Sequence, residues 1–385
     1  MSYVPYQDLE NKQMLFELLT QPERFLDSIR RYSMSLTTSM IFDIRTATFD
    51  DPKLVQLFSL VDNFTEIVQS AAGQMLEVFP VLRSLPDVFF PIRRAAREHH
   101  IKEKSLFRSF YLSVKENEKA NPCFCTDMAK VQEKEGLSDD LAAYIAGSVL
   151  EAGSDTTSCT LYGFMQAMLL FQDVQREAQQ QLDEVVGDQR LPIVEDYPRL
   201  RYIRNCVKES TRWMPTAILA FPHAVMEDDY YNGYKIPKGA TIVNNAFTIA
   251  MDPNRHSNPR DFDPDRFSNS DLNLVDSITS NYPAERPTFT FGAGRRVCKG
   301  MHVAENSLFL GIARILWAFN IRPVQDAAGR DILPDSSKLT QGFVCMPEQF
   351  KASITPRSPQ RAELLRKEWA SAQKELDPVT KQWRR

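Results

Sequence analysis

Cysteines are few in this sequence, basic residues are not in excess, and no apolar run is long. Six cysteines in 385 residues are too thinly spread for a disulfide scaffold and suit a reducing compartment. Cys123 and Cys125 form a C-x-C with no second pair at zinc-finger spacing, which weighs against zinc there. Lys and Arg number 46 against 50 Asp and Glu, a net charge of −4. That balance argues against nucleic acid as a partner, since no cation surplus exists to neutralise phosphates. No window reaches the ~18 apolar residues of a membrane-spanning helix; the closest run, Leu161 to Phe171, is short and holds Gln166. Met1 to Glu10 lacks the basic start and apolar stretch of a secretory signal. There is no internal repeat and no low-complexity linker.

What is present is a mainly helical pattern. Apolar residues recur at spacings of three and four over Asn11 to Tyr32, Pro52 to Leu76 and Pro91 to Lys119, which predicts helices. Asn121 to Glu135 reads as a loop with fragments. Ser138 is a suitable N-cap for a long helix, and Asp139 and Asp140 suit its positive first turn. From Leu141 to Phe171 the only charges are Glu151 and Asp155, so that helix belongs in a core. Helices follow at Gln172 to Gly187 and Leu200 to Met214. Tyr230 to Gly239, with Asn232-Gly233 at its centre, predicts strand, turn and strand, and Ala240 to Phe247 a further strand. Asp252 to Phe267 is rich in Pro, Asn and Asp and predicts coil. Met301 to Phe319 is an amphipathic helix, and Ile321 to Ile354 suggests short strands. The expectation is one mainly α domain with small β-sheets over residues 1–356, and a charged tail over 357–385 that forms a loosely attached helix.

Two segments depart from good packing and point to chemistry. In Phe291-Gly292-Ala293-Gly294-Arg295-Arg296-Val297-Cys298-Lys299-Gly300 a cysteine stands in a glycine-punctuated loop just before a helix. Backbone N–H groups can approach its sulfur, and the helix N-terminus with Arg295, Arg296 and Lys299 favours a thiolate. A buried free cysteine is the plainer reading of any lone Cys, and a nucleophile is another, although none of the five histidines is an obvious base. The second segment, Ala152-Gly153-Ser154-Asp155-Thr156-Thr157, lies inside the long apolar helix. An interior glycine costs about 1 kcal/mol against alanine, and a buried Asp is costly unless paired. A site explains such a cluster; so does a packing notch.

The loop matches F-x-x-G-x-R-x-C-x-G at Phe291, Gly294, Arg296, Cys298 and Gly300, and so resembles the haem-binding loop of cytochromes P450. The resemblance covers about Tyr3 to Arg357, with every motif in family order. It implies the cytochrome P450 fold and a haem b whose iron takes the Cys298 thiolate as axial ligand, a ligand that favours O–O cleavage. By the same resemblance Phe291 shields the sulfur, and Arg296 and His223 hold the haem propionates. Gly153 makes room for O2, while Thr156 and Asp155 handle dioxygen and its protons. Glu209-Ser210-Thr211-Arg212, with Arg266 in Phe262-Asp263-Pro264-Asp265-Arg266-Phe267, resembles the family's buried Glu-Arg-Arg network. Ile218, Leu219, Phe221 and Phe343 match turns that touch substrate. Lys299 stands where the family usually has a small or apolar residue, and Phe247 and Ala250 where fungal-type members often carry Trp and His.

The function implied is a monooxygenase of fungal secondary-metabolite biosynthesis, acting on a mostly apolar small molecule. Its electrons would come from NADPH through NADPH-cytochrome P450 reductase, at the cytosolic face of the endoplasmic reticulum. A peroxide isomerase or dehydratase of the same fold usually lacks the distal threonine. A haem-binding homologue with little turnover is the remaining alternative. Microsomal members begin with an anchor, a proline-rich hinge, a β-sheet lobe and a helix carrying W-x-x-x-R. No Trp precedes Trp213, so the expectation is that these 385 residues lack a segment which the working enzyme needs.

Overall fold

Proline, glycine and short capping side chains set most of the helix boundaries. The computed structural model describes residues 3–384, apart from the side chains of Lys53, Leu54 and Glu77. Its helices are α1 (Val4–Thr20), α2 (Phe25–Phe42), α3 (Pro52–Gln69), α4 (Ala71–Val78), α5 (Pro91–Lys115), α6 (Phe124–Glu135), α7 (Asp139–Leu170), α8 (Gln172–Val185), α9 (Arg201–Trp213), α10 (Ala246–Ala250), α11 (Leu274–Thr279), α12 (Met301–Ala318) and α13 (Pro359–Ala372). The helix expected over Asn11 to Tyr32 is two, because Pro22 takes the residue before it out of the helical region. The one expected over Pro52 to Leu76 is broken at Ser70, whose hydroxyl caps α4 by accepting from the Gly73 N–H at 3.0 Å. Asn121 to Glu135 is not a loop: Thr126 Oγ1 accepts from the Cys123 N–H at 3.0 Å, and Gly136 closes α6 at φ +67°. A cysteine N-cap gives no sequence signal. α7 starts where Ser138 predicts, its hydroxyl accepting from the Leu141 N–H at 3.2 Å.

The strands are short: β1 (His223–Ala224), β2 (Asp229–Tyr231), β3 (Tyr234–Ile236), β4 (Thr241–Ile242), β5 (Phe319–Arg322), β6 (Val324–Gln325), β7 (Asp331–Ile332) and β8 (Ser353–Pro356). They form antiparallel pairs β1–β4, β2–β3, β5–β8 and β6–β7. Asn232 and Gly233, at φ +47° and +84°, make the tight turn of β2–β3. The strand expected over Ala240 to Phe247 ends early, and Asn245 caps α10 by accepting from the Thr248 N–H.

α7 threads two hydrophobic clusters. Its first half packs Ala142, Ala146 and Leu150 with Phe107 and Tyr111 of α5. Its second half packs Leu161, Phe164 and Met168 with Ile203 of α9 and Phe309 of α12. The tail is firmly docked rather than loose. Leu365, Trp369 and Leu376 are buried, Arg357 and Arg361 reach Asp183 of α8 at 2.6 Å, and Gln382 exchanges hydrogen bonds with the Arg45 backbone at 2.6 and 2.9 Å. Its charges mask an apolar stripe that settles on α1. Arg45 in turn belongs to a buried network the sequence did not suggest: Glu10 of α1 binds Arg31 and Arg45 at 2.7 and 2.6 Å, and Glu17 binds Arg31 at 2.6 Å.

A second buried network fixes the coil that follows α10. Arg212 and Glu209 pair through two bonds of 2.7 Å, and Arg266 Nε reaches Glu209 at 3.2 Å. The remaining Arg212 donors cap the carbonyls of Ala250 and Pro259 at 2.9 Å and of Asp261 at 3.1 Å. Glu209 also accepts the Asp263 N–H at 2.9 Å. Removing one partner of a buried pair costs about 3–5 kcal/mol. Glu209→Ala is therefore expected to lower the thermal midpoint by many degrees and to abolish haem loading, read by calorimetry and by haem absorbance per chain.

His256 sits among these cations. Burial, then Arg212, Arg255 and Arg266, lower its pKa to about 4, and its Nε2 is buried without a hydrogen-bond partner among the described residues. The native state therefore resists a proton that the unfolded chain accepts near pH 6.5. His256 favours folding above that pH, and this contribution is lost as the pH falls toward 4. His256→Phe is expected to flatten the fall in thermal midpoint between pH 6.5 and 4.5.

Candidate active site

The cysteine loop is built by its own backbone and held from behind. Gly292 and Gly294 turn it at φ +75° and +64°, conformations that glycine adopts without strain. The Cys298 N–H donates to the Phe291 carbonyl at 2.9 Å and the Gly292 N–H to the Phe289 carbonyl at 2.9 Å. Thr288 Oγ1 donates to the Thr211 carbonyl of α9 at 3.1 Å. The guanidinium groups of Arg255 and Arg286 lie 5.4 and 5.7 Å from the Phe289 ring centre. Gly300 is the N-cap of α12, so Cys298 stands just before a helix, as the loop pattern predicts. The residue is exposed, yet its sulfur lies low in the loop. Burial pushes the Cys298 thiol up, and the Gly300 N–H that donates to the sulfur acts in the opposite direction. Arg295, Arg296 and Lys299 are exposed and are not among the groups that act on the thiol. At these exposed positions their charges are screened by water.

The distal cluster lies in α7 between the two apolar clusters. Thr156 Oγ1 donates to the Ala152 carbonyl at 2.9 Å, and Ser158 Oγ to Asp155 Oδ1 at 3.1 Å. Gly153 packs closely against α2. A Cβ there would lie 2.8 Å from Thr37 Cγ2, and the Gly153 carbonyl accepts from Ser33 at 3.0 Å. Its missing side chain admits α2 and is a packing notch. Sequence reading also passed over Arg30 of α2. It contacts Met346 Sδ at 3.8 Å and stacks over Phe58 at 5.3 Å, and its charge acts on Asp62 and Cys159, as does that of Asp155. A single Arg on an amphipathic helix carries no signal of its own.

The predicted substrate and propionate residues come from turns that are tied together. Ala220 adopts φ +49°, which presents Leu219 and Phe221, exposed by 50% and 68%. The Phe221 and Phe343 rings lie 4.3 Å apart. The Cys345 N–H donates to the Thr216 carbonyl at 2.8 Å, and the Phe247 N–H to that of Ile218 at 3.1 Å. The Ala217 N–H reaches Thr290 Oγ1 at 3.4 Å, which joins this wall to the cysteine loop. His223, in β1 opposite Ile242, is exposed. A cleft of about 650 Å³ between α8 and α9, lined by residues such as Asp173, Arg176 and Glu177, contains none of these residues.

A haem presents a broad apolar disc, two carboxylates and an iron that takes a thiolate. The residues present fit that group. Cys298 offers a sulfur with one N–H donor in an exposed loop, and Leu219 and Phe221 offer apolar faces. Arg296 and His223 are exposed donors with no ion pair among the described residues.

The family model for cytochrome P450 matches residues 12–354. Among curated proteins the chain is 44% identical over 380 residues to cytochrome P450 monooxygenase virE of Hypocrea virens, covering 98% of this chain and 69% of that protein. It is 43% identical over 387 residues to cytochrome P450 monooxygenase fogE of Aspergillus ruber, covering 100% and 71%. A solved structure of a zebra fish cytochrome P450 with abiraterone aligns at a TM-score of 0.68 and 23% identity, over 91% of this chain and 77% of that one, a likeness of fold. With the fold, the cysteine loop and the family match in agreement, this chain belongs to the cytochrome P450 family and is a haem-dependent monooxygenase.

Proposed function

We propose that Cys298 is the thiolate ligand of the haem and that Arg296 and His223 hold its propionates. The observation that supports this most is Cys298 itself, an exposed residue whose sulfur accepts one backbone N–H at the head of α12. Bound there, the haem would bind and activate O2 and transfer one oxygen atom to the substrate. The rest falls to this chain's side chains. Thr156 would turn its hydroxyl from the Ala152 carbonyl to an outside acceptor, and Asp155 would pass protons toward it. Ile218, Leu219, Phe221 and Phe343 orient the substrate and keep water away. Those residues suit a small, mostly apolar organic molecule, and the fungal relatives suit a place in secondary metabolism. Electrons would come from NADPH through a reductase, with exposed Arg295 and Lys299 giving the loop a basic face for it. That reading places the enzyme at the cytosolic face of the endoplasmic reticulum. No described helix is long and apolar enough to cross a membrane.

Cys298→Ser is expected to lose the red-shifted Soret band of the reduced carbon monoxide complex; a variant that keeps the band overturns the ligand assignment. Thr156→Ala is expected to go on oxidising NADPH but to release the electrons as hydrogen peroxide. The peroxide formed per NADPH should rise severalfold, and an unchanged ratio would make Thr156 a packing residue.

A further inference from the structure

One charge on α7 has no part in this mechanism. Between Leu141 and Phe171 only Glu151 and Asp155 are charged; four residues apart, they share a helix face. Tyr144 and Ser158 fall on the same stripe at helical spacing. Facing its upper end from α5 is Glu103, with a side chain only 6% exposed. Tyr144 donates its hydroxyl proton to Glu103, and Glu151 lies close enough to the same Glu103 carboxyl for the two to act on each other. His100, with a side chain 58% exposed, sets Nδ1 3.4 Å from the Tyr144 oxygen and 4.0 Å from Glu103. His99 lies alongside, Nε2 3.4 Å from Glu103, with both ring nitrogens buried and without a hydrogen-bond partner among the described residues. A polar chain thus runs from the surface at His100 to the residue one turn before Asp155. Burial, then Glu103, push Glu151 up to about 8, so it holds its proton at neutral pH.

We infer that Glu151 is a relay residue that draws protons from water through His100, Tyr144 and Glu103 and hands them to Asp155. The inference rests on the proposed proton role of Asp155. At i and i+4 the two Cβ atoms are about 5–6 Å apart, within reach of the carboxyl groups directly or through one water. In the step itself the Glu151 O–H bond breaks, and the proton forms a new O–H bond on the Asp155 carboxylate. Glu151 is left as a carboxylate and is reprotonated across Glu103. Tyr144 gives up its hydroxyl proton and takes one from the His100 side, so bulk water supplies one proton for each delivered and no electron moves. The groups near Glu151 are His99, His100 and Glu103 of α5 and Tyr144 of α7. Arg30 of α2, Asp62 of α3 and Cys159 of α7 are the charged or titratable groups near Asp155.

Infrared spectroscopy at pH 7 is expected to show a protonated-carboxyl band that Glu151→Gln removes and Asp155→Asn keeps; a band untouched by Glu151→Gln overturns the inference. In the haem-loaded enzyme with reductase, NADPH and dioxygen alone, Glu151→Gln is expected to slow NADPH oxidation about tenfold, a fraction of what a direct acid–base group supplies. It should also raise the solvent isotope effect, with Glu151→Asp restoring part of the rate. The unmodified enzyme should slow as the pH rises through about 8, and Glu151→Gln should stay slow and flat. If Asp155→Asn slows the reaction while Glu151→Gln does not, the relay is overturned and the role of Asp155 stands. If Asp155→Asn has no effect, the role of Asp155 fails and takes the relay with it. Should Glu151→Gln not load haem, Glu103→Gln tests the same path from α5, with the same loss expected and an unchanged rate overturning it.

Discussion

The structure depends on one constraint: α7 must carry polar groups through the middle of an apolar body. It meets that constraint by being shared between two cores. Leu150 is the last α7 side chain in the cluster with α5 and α6, and Cys159 the first in the cluster with α9 and α12. Ala152 to Thr157 fall in the seam, where neither cluster claims them. The helix is held tightly on both sides of that seam. A Cβ at Gly147 would lie 2.1 Å from Phe107 of α5, and one at Gly163 2.7 Å from Met214. Each interior glycine weakens the isolated helix by about 1 kcal/mol, and the close contact it permits returns dispersion energy over many atom pairs.

The irregular half of the molecule is stabilised differently, by guanidinium groups that cap carbonyls. The coil from Ala250 to Asp263 has no ladder to satisfy its backbone, and an unpaired buried carbonyl costs about 1–3 kcal/mol. Arg212 answers for three of those carbonyls, and Arg266 for those of Asn258 at 2.8 Å and Asp261 at 3.3 Å. Glu209 balances both charges. Arg suits the task because its planar fork offers five donors in fixed directions. The cysteine loop inherits that rigidity through the Thr288–Thr211 bond.

The long helices α5, α7, α8, α9 and α12, the Asn232-Gly233 hairpin and the cysteine loop were legible in the sequence because each has a local signature: a period, a turn dipeptide or a motif. What was not legible lies in long-range pairing. Glu10, Glu17, Arg31 and Arg45 read as solvated charges, and only the fold buries them. The tail read as loose because its charges outnumber its apolar stripe, yet Trp369 is 8% exposed against α1. The close approach of Gly153 to Thr37 of α2 was not legible either, because the direction of a Cβ is not visible in a one-dimensional pattern. Glu151 stood out only by composition, and its partners Glu103 and His100 lie some fifty residues away in the chain.

The hydroxyl groups of the seam show how a polar cluster survives there without locking. Ser154 donates to the Leu150 carbonyl at 2.6 Å, Thr156 to Ala152 at 2.9 Å and Thr160 to Thr156 at 3.2 Å. Each of these three uses a carbonyl of its own helix four residues back and so is paired while the helix is at rest. Exchanging such a bond for one to an outside acceptor changes the free energy by about 1 kcal/mol or less, because bonds are swapped rather than lost. A buried unpaired hydroxyl would instead destabilise the helix continuously, and a hydroxyl paired to a charge would turn away only at a larger cost. Back-bonding to the helix is thus the arrangement that satisfies Thr156 at rest and leaves it free to donate elsewhere, while Asp155, which accepts from the nearby Ser158 and acts on the Cys159 thiol, keeps lone pairs open to a proton.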